Sequence, residues 1–172
     1  MALGAKSDRK CYALYVDAAF SADYSATEYK IIGHDLESLS VELNPTVETF
    51  RNILGQNGVR HEGYEPNIDV DTFYHRAKET LEAKVLELAM ARKSGDACKT
   101  SCVEVVYAMA EDGTSEPEVI HAYREDILLV PTSYGGDTTG LQTPFQINFS
   151  GNRVKGTFDR NTSKFTESES AL

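Results

Sequence analysis

Two aspartates one residue apart, Asp69 and Asp71, are followed by Thr72 in a D-x-D-x-T pattern. Phosphoryl-transfer enzymes use that spacing when one carboxylate attacks phosphorus and the other serves as acid and base. Such a nucleophile sits at the end of a buried apolar strand, whereas Pro66-Asn67-Ile68 precedes the pair here. A helix N-cap role accounts for Asp71 without any catalysis. Gly135-Gly136-Asp137 has the glycines of a phosphate-binding loop, but neither a lysine nor a helix start follows it. His34, His61, His75 and His121 are scattered, and none stands at the i, i+4 spacing of a helical metal site from another His or a Cys. His75 with Glu79 reads as a surface pair on a helix. No G-x-S-x-G elbow occurs. Cys11, Cys98 and Cys102 form an odd set without a C-x-x-C pair, which points to reduced thiols and away from a disulfide framework or zinc ribbon. The sequence therefore assigns no catalytic, cofactor-binding or metal residue, and the expectation is a protein that is not an enzyme.

Composition narrows the class further. The chain has 172 residues, with 17 Lys plus Arg against 27 Asp plus Glu, for a net charge of −10. With 41% hydrophobic and 26% charged residues it can bury one core and lacks the signature of a disordered chain. No stretch approaches the roughly 18 apolar residues of a membrane helix, and Met1 to Lys10 lacks a signal-peptide layout, so synthesis in the cytoplasm and no membrane partner are expected. The basic groupings, Lys6 with Arg9 and Lys10 and Arg92 with Lys93, make no stripe for gripping phosphates.

Periodicity predicts a β-rich first part, one central helix and a β-rich last part. Cys11 to Val16 and Tyr29 to Ile32 are β-compatible runs flanking a loop from Phe20 to Glu28. Leu39, Val41 and Leu43 alternate with polar neighbours up to Asn44-Pro45, which predicts a half-buried strand. Thr46 to Leu54 has both helical spacing and β-branched content and is read as a strand. Gly55-Gln56-Asn57-Gly58 then turns the chain, and Val59 to Tyr64 returns antiparallel to it.

Phe73, Ala77, Leu81, Val85 and Leu88 predict an amphipathic helix over 73–93, capped by Asp71 or Thr72 and closed by Gly95. Cys102 to Met109 and Glu118 to Val130 read as paired strands around a turn at 110–117. Thr132 to Thr143 reads as a long loop. Phe145, Ile147 and Phe149, then Gly151-Asn152, then Val154, Gly156 and Phe158 read as a hairpin, with a frayed tail beyond Arg160.

Several of these stretches together resemble the major tail tube proteins of long-tailed bacteriophages and prophages of Gram-positive hosts. The matching segments are Tyr29-Lys30-Ile31-Ile32-Gly33 with Leu43-Asn44-Pro45, Asn52-Ile53-Leu54-Gly55, and Gly63-Tyr64-Glu65-Pro66 with Val70-Asp71. Val130-Pro131-Thr132-Ser133-Tyr134-Gly135-Gly136-Asp137 follows, then Phe145 to Phe158 with Lys155-Gly156-Thr157-Phe158-Asp159. The resemblance spans residues 29 to 160.

It implies a mainly β fold with one α-helix, a β-sandwich or partly closed barrel flanked by that helix, forming one domain over residues 1–172. Residues 1–28 are then expected as an N-terminal arm and 160–172 as a flexible tail. It also implies a structural virion protein whose hexameric rings stack head to tail into a hollow tube that conducts phage DNA without binding it. Tape-measure, tail terminator and baseplate or tail-tip proteins are the implied partners. The implied location is the virion tail, after synthesis in the bacterial host.

Heterologous contacts of this kind close into rings on one face and grow into filaments on another. The segments Thr46 to Tyr64 and Thr132 to Thr143 are the candidate inter-subunit contacts, with Phe50, Ile53, Leu54, Tyr64, Tyr134 and Asp137 as the residues. A ring would carry about −60 from its chains at −10 each, and an acidic lumen repels a duplex rather than trapping it. Glu37, Glu42 and Glu104 are candidate lumen-facing acids on expected strands, with an outward, solvated position as the alternative. A tailocin or other contractile injection system that carries no genome could use the same fold.

Overall fold

A computed structural model describes residues 4–108 and 116–169. Its strands are β1 (Tyr12–Asp17), β2 (Tyr29–Ile32), β3 (Pro45–Arg51), β4 (Asn57–Tyr64), β5 (Asn67–Val70), β6 (Lys99–Ala108), β7 (Glu118–Pro131), β8 (Gly135–Asp137), β9 (Gly140–Gln142), β10 (Phe145–Asp159) and β11 (Lys164–Glu167). One α-helix, α1 (Thr80–Met90), lies between β5 and β6. The main sheet runs β11-β10-β7-β6-β1-β2, and β5 also pairs with β10. Its pairings are all antiparallel. β5 and β11 divide the outer edge of β10, at Phe145–Asn148 and Gly156–Asp159 respectively.

The sheet is curled. Tyr15 on β1 meets Phe158 on β10 with ring centroids 4.4 Å apart, although β6 and β7 separate those strands. The concave face buries Tyr15, Tyr29, Val103, Val105, Ala122 and Phe158 against one another. The opposite face of the main sheet carries Leu14, Val16, Ile127, Leu129 and Ile147, and α1 covers it with Leu81, Val85 and Leu88. These three helix residues are the stripe that the i, i+4, i+7 spacing predicts.

Several expectations are corrected. The helix begins at Thr80 rather than Phe73, after Glu79 as N-cap, so neither Asp71 nor Thr72 caps it. Phe73 and Tyr74 are extended instead, with Thr143 N donating to Phe73 O at 2.8 Å and Tyr74 bridging Gln142. Lys78 at φ 72 separates this stretch from the helix. His75 and Glu79 consequently lie outside it.

Residues 38–43 form no strand. Their one ladder contact is an isolated bridge between Glu42 and Asn67, and Asn44 at φ 45 breaks the extended run. The segment forms a strap that turns its own Leu39 into the core and packs Val41 against it.

The expected hairpin at 145–158 is one long strand. Both halves of β10 pair with β7, from Phe145↔Pro131 to Gly156↔Ala122, and Gly151-Asn152 forms a bulge. Gly151 has φ 104 and Asn152 φ 57, and a bulge uses the same positive-φ residues as a tight turn. A partner strand 14 residues long leaves no reason for the chain to fold back on itself.

The terminal expectations also change. β1 lies between β6 and β2 as an integral strand rather than in an arm, and β11 orders part of the 160–172 tail. Phe165 of β11 packs onto the concave cluster, which removes apolar surface that a frayed tail would expose. The 132–143 loop contains the β8–β9 hairpin. Its tightness demands glycine at Gly136, where a Cβ would stand 2.1 Å from Gly140 O. The predicted Glu-Asp-Gly turn after Met109 lies outside the described residues. The strands expected at 46–54 and 59–64 are present as the paired β3 and β4.

Candidate functional site

β3 and β4 form a separate two-stranded ribbon from Pro45↔Tyr64 to Arg51↔Asn57. Every residue of β3 is exposed. The tip is fixed by Asn52, whose Oδ1 accepts from Leu54 N at 3.0 Å and Gln56 N at 2.9 Å. Arg51 Nε donates to Gly55 O at 2.9 Å. This turn chemistry holds Ile53 and Leu54 outward, at 103% and 76% exposure. Phe50 lies over Gly58, where any Cβ would come within 2.5 Å of its ring, and the Arg60 guanidinium lies over the ring 4.7 Å from its centroid. Tyr64 at the ribbon base is exposed and meets His61 edge-on at 4.5 Å. An isolated ribbon of this size is marginal in water, and exposed branched aliphatics raise the cost of leaving it uncovered.

Beside the base of the ribbon lies a trough of about 810 Å³ between the 39–43 strap and the sheet. Tyr12, Leu39, Val41, Leu43, Pro66 and Phe149 supply its apolar wall. A charged cluster also lines it. Arg153 Nη1 donates to Glu104 Oε2 at 2.6 Å and to Glu125 Oε2 at 2.7 Å, and Tyr12 OH donates to Glu104 Oε1 at 2.8 Å. The Glu104 and Glu125 side chains are only 12% and 9% exposed. Burial, reinforced by the Glu104 carboxylate, pushes the Tyr12 phenol far above its ordinary value. Burial opposes the charge on Arg153, but the two carboxylates outweigh it and hold the guanidinium above its usual range. The second cation at the trough, Arg9, donates to Leu39 O at 2.8 Å and ties the strap to the 3-10 turn that leads into β1.

The candidate acids therefore differ in setting. Glu104 is on β6 but is neutralised in this cluster, Glu37 lies on an irregular exposed bend, and Glu42 is exposed at the isolated bridge. Only Glu104 occupies a regular strand, because positive φ at Asp35 and Asn44 brackets the segment holding the other two. Tyr134 is exposed beside β8, and Asp137 accepts from Thr139 N at 2.8 Å. The Thr139 hydroxyl and amide hold the Asp137 carboxyl below its ordinary value, as the carboxylate of an Asx turn.

The D-x-D pair does not converge on a reactive centre. Asp69 is exposed on β5 and accepts from Gln146 Nε2 at 2.8 Å, while Asp71 is exposed just beyond the strand. Among the described residues no three His, Cys, Asp or Glu side chains gather as a metal site. The cysteines are buried free thiols, and burial pushes the Cys102 thiol well up. Sequence reasoning missed Glu125, Arg153 and Tyr12, since only the β1-β6-β7-β10 register brings residues so distant in sequence together.

This fold, a curled half-barrel with one flanking helix and a projecting ribbon, is similar to a solved one. A chain in the cryo-EM structure of the PVC sheath/tube terminator of an extracellular contractile injection system, in its extended state, superposes with a TM-score of 0.51. The identity is 11%, and the match covers 91% of this chain and 100% of that one. No family model and no curated protein matches the sequence.

Proposed function

We propose that the chain is a non-catalytic tail subunit that assembles with itself into hexameric rings, stacked as the hollow tube of a phage tail. The observation that carries this reading is the exposed β3–β4 ribbon, with Ile53 and Leu54 bare at its tip, on a half-barrel of the contractile-system fold. A half-barrel with free edge strands closes its sheet by meeting other copies, and the ribbon offers growth in a second direction. The net charge of −10 per chain suits a conduit through which DNA slides. Tape-measure, terminator and baseplate proteins are the partners that such a tube requires. The injection-system version, with no genome to carry, uses the same contacts.

A second reading has its own support, since the solved structure is that of a sheath/tube terminator. In that reading the rings cap a tube rather than repeat along it. Light scattering against concentration separates the outcomes. Mass that keeps growing with concentration supports the repeating tube, a plateau at one ring supports the cap, and a monomer at every concentration removes both.

A further inference from the structure

We propose that the trough bordered by Tyr12, Val41, Leu43 and Phe149 is the seat for the ribbon tip of a second copy, which inserts Ile53 and Leu54. The inference rests on the self-assembly reading and names the acceptor surface that this reading lacks.

Three observations carry it. The tip cannot fill its own trough. Leu43 and Tyr64, which frame the start and end of the ribbon, also line the trough. Strands of seven and eight residues carry the tip roughly 20–25 Å away from that base. Full exposure of Ile53 shows that the tip has not folded back.

The two surfaces are also matched in kind. The tip presents two branched aliphatics, and the trough has an apolar wall with about 810 Å³ of room, ample for both. Its carboxylates already have a partner in Arg153, so an apolar side chain arriving there strips no unpaired charge of water.

Electrostatics selects the same pair. The chain carries −10, so two copies repel over most of their surfaces. The ribbon is balanced, with Arg51 and Arg60 against Glu48 and Glu62. The trough is balanced as well, with Arg9 and Arg153 against Glu104 and Glu125. Contact between copies is least opposed where these two neutral patches meet. One tongue and one separate groove on each chain give a head-to-tail contact that does not close on itself.

Two double variants test the seat, Leu54→Cys with Val41→Cys and Leu54→Cys with Leu43→Cys. The native cysteines are buried and do not compete. Under mild oxidation of assembled protein, at least one pair should give a ladder of disulfide-linked dimers, trimers and longer chains, which neither cysteine alone can extend beyond a dimer. Leu54→Asp, at an exposed position that leaves the fold intact, should raise the concentration needed for stacking by about tenfold or more. Normal assembly with no cross-linking in either pair and an unchanged threshold in Leu54→Asp would overturn the seat while leaving self-assembly standing. Failure of the unsubstituted protein to assemble would overturn both.

Discussion

Tyr15 and Phe158 touch ring to ring across the concave face of the sheet, 4.4 Å between centroids and tilted by 42°. Tyr29 adds an edge-on contact to the same ring at 6.3 Å. This junction holds β10 toward β1 and β2 and so sets the curvature of the half-barrel. Replacing Phe158, 5% exposed, with alanine should cost about 3–5 kcal/mol. Urea unfolding measures that loss, and a cost below about 1 kcal/mol would show that curvature is set elsewhere.

The same face makes the protein sensitive to alkali. Burial pushes the Tyr29 phenol up to about 12 from an ordinary 10.0. Burial also raises Tyr107, with Tyr15 adding to the effect. Between those two values the unfolded chain loses the Tyr29 proton while the folded chain keeps it, so stability is full below the lower value and falls as pH rises through the interval. Urea midpoints taken across that range should decline, and Tyr29→Phe should make the decline shallower. A variant with the same slope as the unsubstituted protein would show that this phenol does not contribute.

The legible parts of the fold were those whose partners lie nearby in sequence or whose periodicity is intrinsic. Leu81, Val85 and Leu88 announce a helix face by spacing alone, and the glycine-rich turn before Val59 announces the β3–β4 ribbon. Misreadings arose where a long-range partner decides. The alternation on either side of Gly151-Asn152 fits a hairpin equally well until β7 is seen to pair with both halves. Phe73 has helical spacing to Ala77, yet it is held extended by Thr143 and packs edge-on against Phe145 at 5.0 Å. Candidate contact residues at the tip could be named because their turn is local. The Glu104–Arg153–Glu125 cluster could not, because its members sit on three different strands.

The ribbon gives a prediction about order. With every residue of β3 exposed and no second layer over it, its amides should exchange rapidly in dilute protein. Assembly should slow exchange across 45–64 far more than in β6 or β7, which are already shielded by the core. Equal protection of the ribbon in the dilute and assembled states would contradict a role for it between copies.

Self-assembly is the claim on which the functional reading stands, and electron microscopy of the concentrated protein tests it most directly. The account predicts hollow rings with six-fold symmetry, and stacks of them where the ribbon tip is intact. Compact single particles at every concentration would contradict it.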